Sequence, residues 1–332
     1  MELEFQYQRL TRNSDLHSLA QLVKLCFNMD VDQHYFNWKY FDNPCGEVLA
    51  YVAISDSKII SFYGVIPEWY WENGEIVKIY QSMDTMTHPD FRRMGLFVKL
   101  AKLCFKDLDK ENTNYLAIGF PAPASYSGFV KKLGWSTVFF NRLWFCYSFV
   151  FKAFSVASRF PSEVSCHPVD INSPHFEEYF KGKEPLASIE KYVDSRIFKW
   201  KVMDNKHKKY EAISIHKDNA IIGLAVYYLD TPKSCLLVWV DFYNPSNYQL
   251  NVMGSLIKHL FLITKKRCIY IWGPTLDIQK RAFKKAGFIM NPFNKGPFHQ
   301  KFSFITLADK NRRGLSRWNN QDHYNFQGIM LD

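Results

Sequence analysis

The stretch from Tyr80 to Leu108, YQSMDTMTHPDFRRMGLFVKLAKLCFKDL, concentrates the residues best suited to chemistry. An apolar, β-rich run stops at Pro89, and an amphipathic helix opens directly after the basic pair Arg92 and Arg93. Leu96, Phe97, Leu100, Leu103 and Cys104 share one helical face, with Lys99, Lys102 and Lys106 on the other. The first N–H groups of a helix have no acceptor within it and sit at the positive end of its dipole, so such a start is an anion site suited to a pyrophosphate. Gly95 removes the Cβ that would hold a ligand off the backbone, and the two arginines add charge. The segment alone leaves a second reading open, a solvated helix start with a basic flank.

The string THPDFRRMGLF resembles the motif A signature of the GNAT acyltransferase superfamily, in which a strand ends in a V-x-P-like turn and R/Q-x-x-G-x-G/A opens the helix that holds the pyrophosphate of acetyl-CoA. Arg92 takes the R/Q place and Gly95 the first Gly, while Phe97 stands where the pattern has its last Gly or Ala. The segment SYSGFVKKLGW, Ser125 to Trp135, resembles motif B and ends in Gly134-Trp135, with Val130 where that family usually places a tyrosine acid. The resemblance implies acetyl-CoA or another short acyl-CoA as donor, bound by Met86, Thr87, Arg92, Arg93, Met94, Gly95, Leu96 and Phe97. It also implies that the thioester lies where the motif A strand splays from the next parallel strand, near Ile118, with backbone groups of Met86 and Thr87 on the pantetheine and the thioester carbonyl.

An amine acceptor must lose a proton, which calls for a base or a water-linked acceptor at that wedge. Asp84 is the candidate base, directly or through water, with substrate orientation or a turn cap as its alternative roles, and Gln81 on the same strand is the other nearby candidate. Tyr126 is the candidate acid in place of the missing tyrosine, against the alternative of a packed core tyrosine. Trp38 and Tyr40 fall in a region that borders the acceptor pocket in the resembled family, although aromatic packing on a sheet also explains them. His88, beside Pro89, reads as a turn cap or a solvent-facing residue.

The elements that must hold these residues are visible as periodicities. Strand signals fall near 4–10, 48–54, 58–66, 76–87 and 114–119, and helical ones near 14–27, 94–108 and 124–133. The apolar stretch Val138 to Phe154 reads as buried strand, with a membrane-surface contact as the other reading, and is too short and too interrupted by Asn141, Arg142 and Lys152 to span a bilayer. Part of this pattern recurs. YFNWKYFDNP (Tyr35 to Pro44) is echoed by RIFKWKVMDN (Arg196 to Asn205), DSKIIS (Asp56 to Ser61) by DNAIIG (Asp218 to Gly223), and FVKKLGW (Phe129 to Trp135) by AFKKAGF (Ala282 to Phe288). Three features recurring in the same order indicate two copies of one unit. The second copy, Leu236 to Leu260, keeps a strand, a proline turn and a helix but has no R-x-x-G, so a second CoA site is not expected; Trp239 and Asp241 fall near the place of Asp84.

The expected fold class is therefore α/β (α+β): two GNAT-like acyl-CoA N-acyltransferase units, each a mixed, mostly antiparallel sheet flanked by helices. The expected divisions are residues 1–150, the unit with the CoA motif; 151–308, the degenerate unit, entered through a Ser- and Pro-rich linker within 155–175; and 309–332, a polar surface extension. A chain of 332 residues with 47% hydrophobic and 22% charged residues can fill two cores. Seven scattered cysteines without a CxxC pair suit reduced thiols rather than a disulfide frame or a zinc site, and no metal is expected. The N-terminal MELEFQYQRLTRNSD lacks the features of a secretion signal, which suits a cytoplasmic location without a membrane span. The net charge of +10 favours polyanionic partners without choosing among them.

These readings converge on an N-acetyltransferase acting on the primary amine of a small molecule, with no nucleic-acid partner expected. The WKY-x-DNP block followed by motif A resembles GNAT-type proteins associated with bacterial surface polysaccharides, which suggests an amino sugar or its nucleotide-linked form. Two other readings stand beside it: an aminoacyl-tRNA-dependent ligase of the peptidoglycan-bridge type, which would not need the R-x-x-G loop, and a non-catalytic CoA-binding protein, which the Val130 and Phe97 departures would suit.

Overall fold

The computed structural model describes residues 4–111, 115–157, 164–244, 250–291, 301–308 and 315–325, and in it local signals explain where each element starts and stops. β1 (Gln6–Arg9) pairs antiparallel with β2 (Leu49–Ser55), which turns into β3 (Lys58–Glu72) through Asp56 and Ser57, left-handed at φ 47° and 62°. Two successive left-handed residues match the right-handed twist of a tight hairpin. α1 (Leu16–Phe27) begins where the Asp15 carboxylate accepts the Ser18 N–H at 2.9 Å and buries Leu16, Leu19, Leu22 and Val23. α2 (Gln33–Phe36) is capped by Asp32 and runs into a π-turn, Asn37–Phe41. β4 (Glu75–Thr87), α3 (Leu96–Glu111), β5 (Leu116–Gly119) and α4 (Pro123–Ser127) follow, the last continuing into a second π-turn, Gly128–Lys132.

The chain forms two compact units, and neither is a continuous piece of sequence. The first comprises residues 1–70, 76–139 and 303–320. Its sheet runs in the order β1, β2, β3, β4, β5 and then the strand Lys301–Ala308, which pairs antiparallel with β5 from Ile305–Gly119 to Ala308–Leu116. A core of Leu19, Phe36, Tyr40, Phe62 and Met86 lies on the α1–α2 face, and one of Tyr63, Leu100, Cys104, Phe129 and Trp135 on the α3–α4 face.

The second unit comprises residues 71–75, 140–302 and 321–332. Along the chain come β6 (Ser136–Tyr147), α5 (Ser148–Ala157), β7 (Val164–Pro168), α6 (Pro174–Phe180), β8 (Ile189–Lys191), α7 (Ser195–Phe198) with its π-turn Lys199–Met203, β9 (Glu211–Lys217), β10 (Ala220–Tyr228), β11 (Ser234–Phe242), α8 (Leu250–Thr264), β12 (Cys268–Trp272), α9 (Asp277–Lys285) and β13 (Ile289–Met290). The sheet order is β6, β12, β11, β10, β9, β7, with β11 and β12 parallel. The recurrence seen in the sequence is here in three dimensions. The β9–β10 turn places Asp218 and Asn219 at φ 49° and 64°, and α7 starts at Asp194, which caps Ile197 N–H just as Asp32 caps Tyr35 N–H.

Four expectations change. The halves interleave instead of meeting at residue 150, because β6 pairs with β12 through residues 143–147 while Lys301–Ala308 completes the first sheet. The run Val138 to Phe154 is a strand only to Tyr147 and then turns into α5. Within the expected linker, residues 164–168 form β7 and pair with β9; residues 158–163 lie outside the described residues. The described part of the 309–332 tail is packed, not a surface extension: Trp318 is fully buried with its ring 6.0 Å from that of Tyr70, and Tyr324 and Asn325 pair with β8. Large aromatic side chains gain more from burial than the polar residues around them lose.

A fragment ending at residue 150 lacks the strand that satisfies the open edge of β5. It should melt without a cooperative transition by circular dichroism, and a sharp melt at the temperature of the full chain would contradict the interleaved pairing.

Candidate functional site

β4 and β5 are paired in parallel at Tyr80–Ala117, Gln81–Ile118 and Ser82–Gly119. β5 ends at Gly119, whereas β4 continues to Thr87, so a wedge opens beyond Ser82. Two residues into the opening Asp84 adopts φ 51°, a left-handed value that costs a non-glycine residue roughly 1–3 kcal/mol and persists only when its surroundings hold it. The holding groups are visible. Oδ2 of Asp84 accepts the Tyr40 hydroxyl at 2.7 Å and lies 2.8 Å from the Lys39 ammonium, which also donates to the Tyr35 hydroxyl at 3.0 Å.

Lys39 and Tyr40 are sequence neighbours, about 100° apart on an ordinary α-helix. The π-turn Asn37–Phe41 closes with Asp42 N–H on the Asn37 carbonyl at 2.8 Å, and its wider turn brings successive side chains closer in angle. Both therefore reach one carboxylate. The Tyr40 ring is buried and stacked on Phe62, 5.5 Å away and 12° from parallel. Burial alone would lower the Lys39 pKa, but the charge of Asp84 and the oxygen of Tyr35 outweigh it, and the ammonium is held above its ordinary value. Burial, and then the Asp84 charge, push the Tyr40 phenol well up, so it stays a donor.

Met86 and Thr87 turn their carbonyls opposite ways. That of Met86 accepts from Ser61 Oγ on β3 at 3.0 Å, and that of Thr87 from Arg92 Nε at 3.4 Å. The N–H and C=O of one strand residue point the same way, so the Thr87 N–H faces the side that β5 has vacated. The Met86 side chain is buried in the α1–α2 core.

The loop that follows sorts its six residues. Arg92, Arg93, Met94 and Gly95 are exposed, whereas Leu96 is buried and Phe97 half-buried. Arg93 and Gly95 stand at φ 67° and 78° on either side of Met94, an alternation that turns successive N–H groups into one concavity able to hold an anion. A Cβ on Gly95 would meet nothing within 4 Å, so this glycine serves the backbone and leaves the space over the helix start open. The first helical bond, Lys99 N–H to Gly95 carbonyl at 3.0 Å, places the free N–H groups of α3 at this opening. Phe97 does not crowd the loop. Its ring packs on Phe129, centroids 5.0 Å apart, over Gly128, where a Cβ would come within 2.8 Å of it. The loop therefore fits a pyrophosphate.

The structure brings together Tyr40, Asp84 and, nearby, the half-buried Trp38, whose ring lies 6.0 Å from Tyr35. Gln81 is buried, one residue short of the last paired position, and its Oε1 has no partner among the described residues. Tyr126 belongs to the α3–α4 face, where its hydroxyl lies 2.6 Å from Thr137 Oγ1. His88 Nδ1 accepts the Asp90 N–H at 3.3 Å, the cap anticipated for it. Sequence reasoning missed Lys39, for which the signal was available: the Trp-Lys pair recurs as Trp200-Lys201, and Lys201 is fully buried. In the second unit Asp241, 0% exposed, is held by the Tyr179 hydroxyl at 2.6 Å and by Lys183, but both come from α6 and the segment after it rather than from the π-turn. The proline turn after β11, residues 245–249, lies outside the described residues.

Residues 7–138 match the family model for an acetyltransferase (GNAT) domain. No curated protein matches the chain by sequence. Among solved structures, a probable N-acyltransferase from Enterococcus faecalis is similar with a TM-score of 0.68 at 10% identity, over 92% of this chain and 72% of that one. N-myristoyltransferase from Saccharomyces cerevisiae with bound myristoyl-CoA gives 0.60 at 12% identity, over 99% and 84%. A tandem GNAT protein from the clavulanic acid biosynthesis pathway gives 0.58 at 11% identity, over 92% and 99%. At such identities the likeness is one of fold.

Removing the Lys39 charge leaves Asp84 uncompensated in a half-shielded site. Lys39→Met should lose about 1–3 kcal/mol at neutral pH in urea titrations. A raised lysine pKa stabilises the fold fully below the ordinary value near 10.4 and loses that contribution only as pH rises through the folded value. The deficit should accordingly be constant from pH 6 to 9, and a deficit that appears only at alkaline pH would contradict the ion pair.

Proposed function

With residues 7–138 an acetyltransferase domain of the GNAT family, we propose that this protein transfers an acetyl or other short acyl group from coenzyme A to the primary amine of a small molecule, an amino sugar or its nucleotide-linked form being the acceptor class. The observation that carries this reading is the wedge past Ser82 with an anion-binding helix start at its mouth. Arg92, Arg93 and the N–H groups from Gly95 onward would hold the pyrophosphate, and the donor supplies a thioester carbonyl open to attack by an amine.

The residues of this chain divide the remaining work. The Thr87 N–H, turned to the vacated side of β4, donates to the oxygen on which negative charge develops during attack. Asp84 meets the amine. Its Oδ2 is already engaged by the Tyr40 hydroxyl and the Lys39 ammonium, which leaves Oδ1 for the acceptor. Oδ1 therefore orients the amine, and the proton leaves through water. Tyr126, its hydroxyl 2.6 Å from Thr137 Oγ1, would be the donor of a proton to the departing thiolate. Trp38 lines the approach of the acceptor, and Gln81, on the same strand as Asp84, has an amide oxygen without a partner among the described residues. The intact R-x-x-G loop favours CoA over an aminoacyl-tRNA donor, and the left-handed Asp84 held by Lys39 and Tyr40 favours catalysis over CoA binding alone.

Titration calorimetry with acetyl-CoA should show binding by the wild type and none by Gly95→Asp, whose carboxylate would enter the anion site; equal affinity would remove the pyrophosphate from this loop. Thiol release over a panel of amino sugars, polyamines and aminoglycosides then tests the acceptor class. Asp84→Asn should lower kcat by about tenfold to a hundredfold at unchanged CoA affinity while the acid limb of the kcat/KM profile persists. Disappearance of that limb would make Asp84 the base after all.

A further inference from the structure

The face of the second unit formed by α5 and the end of α8 has no part in acyl transfer as described. α5 packs on α8 through Phe151 and Phe261, ring centroids 5.5 Å apart, and the Ser148 N–H donates to the Arg267 carbonyl at 3.0 Å, tying the start of α5 to the segment just beyond α8. On the outer side Phe149 is 70% exposed, Leu262 64% and Ile263 45%. The Phe149 ring is stacked on the half-buried Tyr147, 5.7 Å away and 21° from parallel, at the end of α5 that is tied to the segment beyond Leu262 and Ile263.

Cations surround them. Helical spacing sets Lys152 one turn from Phe149 and Lys258 one turn before Leu262, and Lys265 follows directly on the end of α8, all three exposed, with Lys266 and Arg267 next. Neither α5 (SFVFKAFSVA) nor α8 (LNVMGSLIKHLFLIT) contains a carboxylate. Water-exposed Phe, Leu and Ile are costly for a surface without a partner. A nucleic acid would use the cations but not the aliphatic tips, and protein interfaces are depleted in lysine. An anionic bilayer uses both, because apolar tips enter the acyl boundary while lysines meet lipid phosphates.

We propose that the α5–α8 face, with Phe149, Leu262 and Ile263 at its centre and Lys152, Lys258 and Lys265 around them, docks peripherally on an anionic phospholipid surface. The inference is independent of the acyl-transfer reading. Flotation of the full chain with vesicles of phosphatidylcholine alone, or mixed with phosphatidylglycerol, tests it. The wild type should float with the mixed vesicles and not with phosphatidylcholine alone, and release at high salt. Lys258→Glu with Lys265→Glu should weaken binding by about twentyfold or more, at roughly fivefold per lysine. Phe149→Ser with Leu262→Ser should weaken it by a comparable factor, both variants keeping the thermal midpoint of the wild type because the altered side chains are exposed. Failure of the wild type to float with mixed vesicles, or flotation unchanged in the Phe149 and Leu262 variant, would overturn the proposal. Tighter retention by a duplex oligonucleotide than by mixed vesicles at equal salt would reassign the face to nucleic acid. Sedimentation velocity showing self-association that the same variant abolishes, without vesicle binding, would reassign it to a second copy of the chain.

Discussion

A β-strand cannot leave its neighbour without stranding backbone donors and acceptors, and β4 leaves β5 after Ser82. Everything in the candidate site follows from how the chain manages that departure. The left-handed Asp84 changes the course of β4, the Met86 carbonyl finds Ser61, the Thr87 carbonyl finds Arg92, and the Thr87 N–H is left facing an opening suited to a ligand. Lys39 and Tyr40 hold the carboxylate of the strained residue, so the cost of its left-handed backbone is offset by an ion pair and a hydrogen bond in a shielded place.

The same constraint recurs in the second unit with other means. β11 and β12 pair in parallel from Ser234–Cys268 to Leu236–Tyr270, and β11 then continues to Phe242. Asp241 again points to the helices that precede the hairpin, and again a lysine and a tyrosine bind it. Here the carboxylate is completely buried and Glu190 lies close enough to be felt. Burial, opposed by Lys183, pushes the Glu190 carboxyl up to about 7. A cluster so enclosed serves the core of its unit, whereas Asp84 keeps a part of its surface for solvent or substrate.

Much of the site was legible because its signals are local. A helix start with Arg92, Arg93 and Gly95 depends on residues adjacent in sequence, and so does the Asp56–Ser57 turn. The part that was not legible depends on distant partners. Nothing near Asp84 in sequence indicates that Oδ2 is already bound by Lys39 and Tyr40, and nothing near Phe97 indicates that Gly128 makes room for its ring. The first occupies one oxygen of Asp84, and the second turns the Phe97 ring away from the loop toward Phe129.

By itself the sequence determined the strand and helix order of the first unit, the exposed basic loop that opens α3 and the duplication, since periodicity, turn chemistry and capping act over a few residues. Only the tertiary structure decided which strand completes which sheet, because pairing is a contact between segments far apart in the chain. It gave the edge of β5 to Lys301–Ala308 and the edge of β12 to β6, buried Trp318 and Tyr324 from a tail that reads as polar, and turned the end of Val138–Phe154 into a helix. An apolar run or an isolated aromatic states that it must be covered. What covers it is settled by the partners that the fold brings within reach.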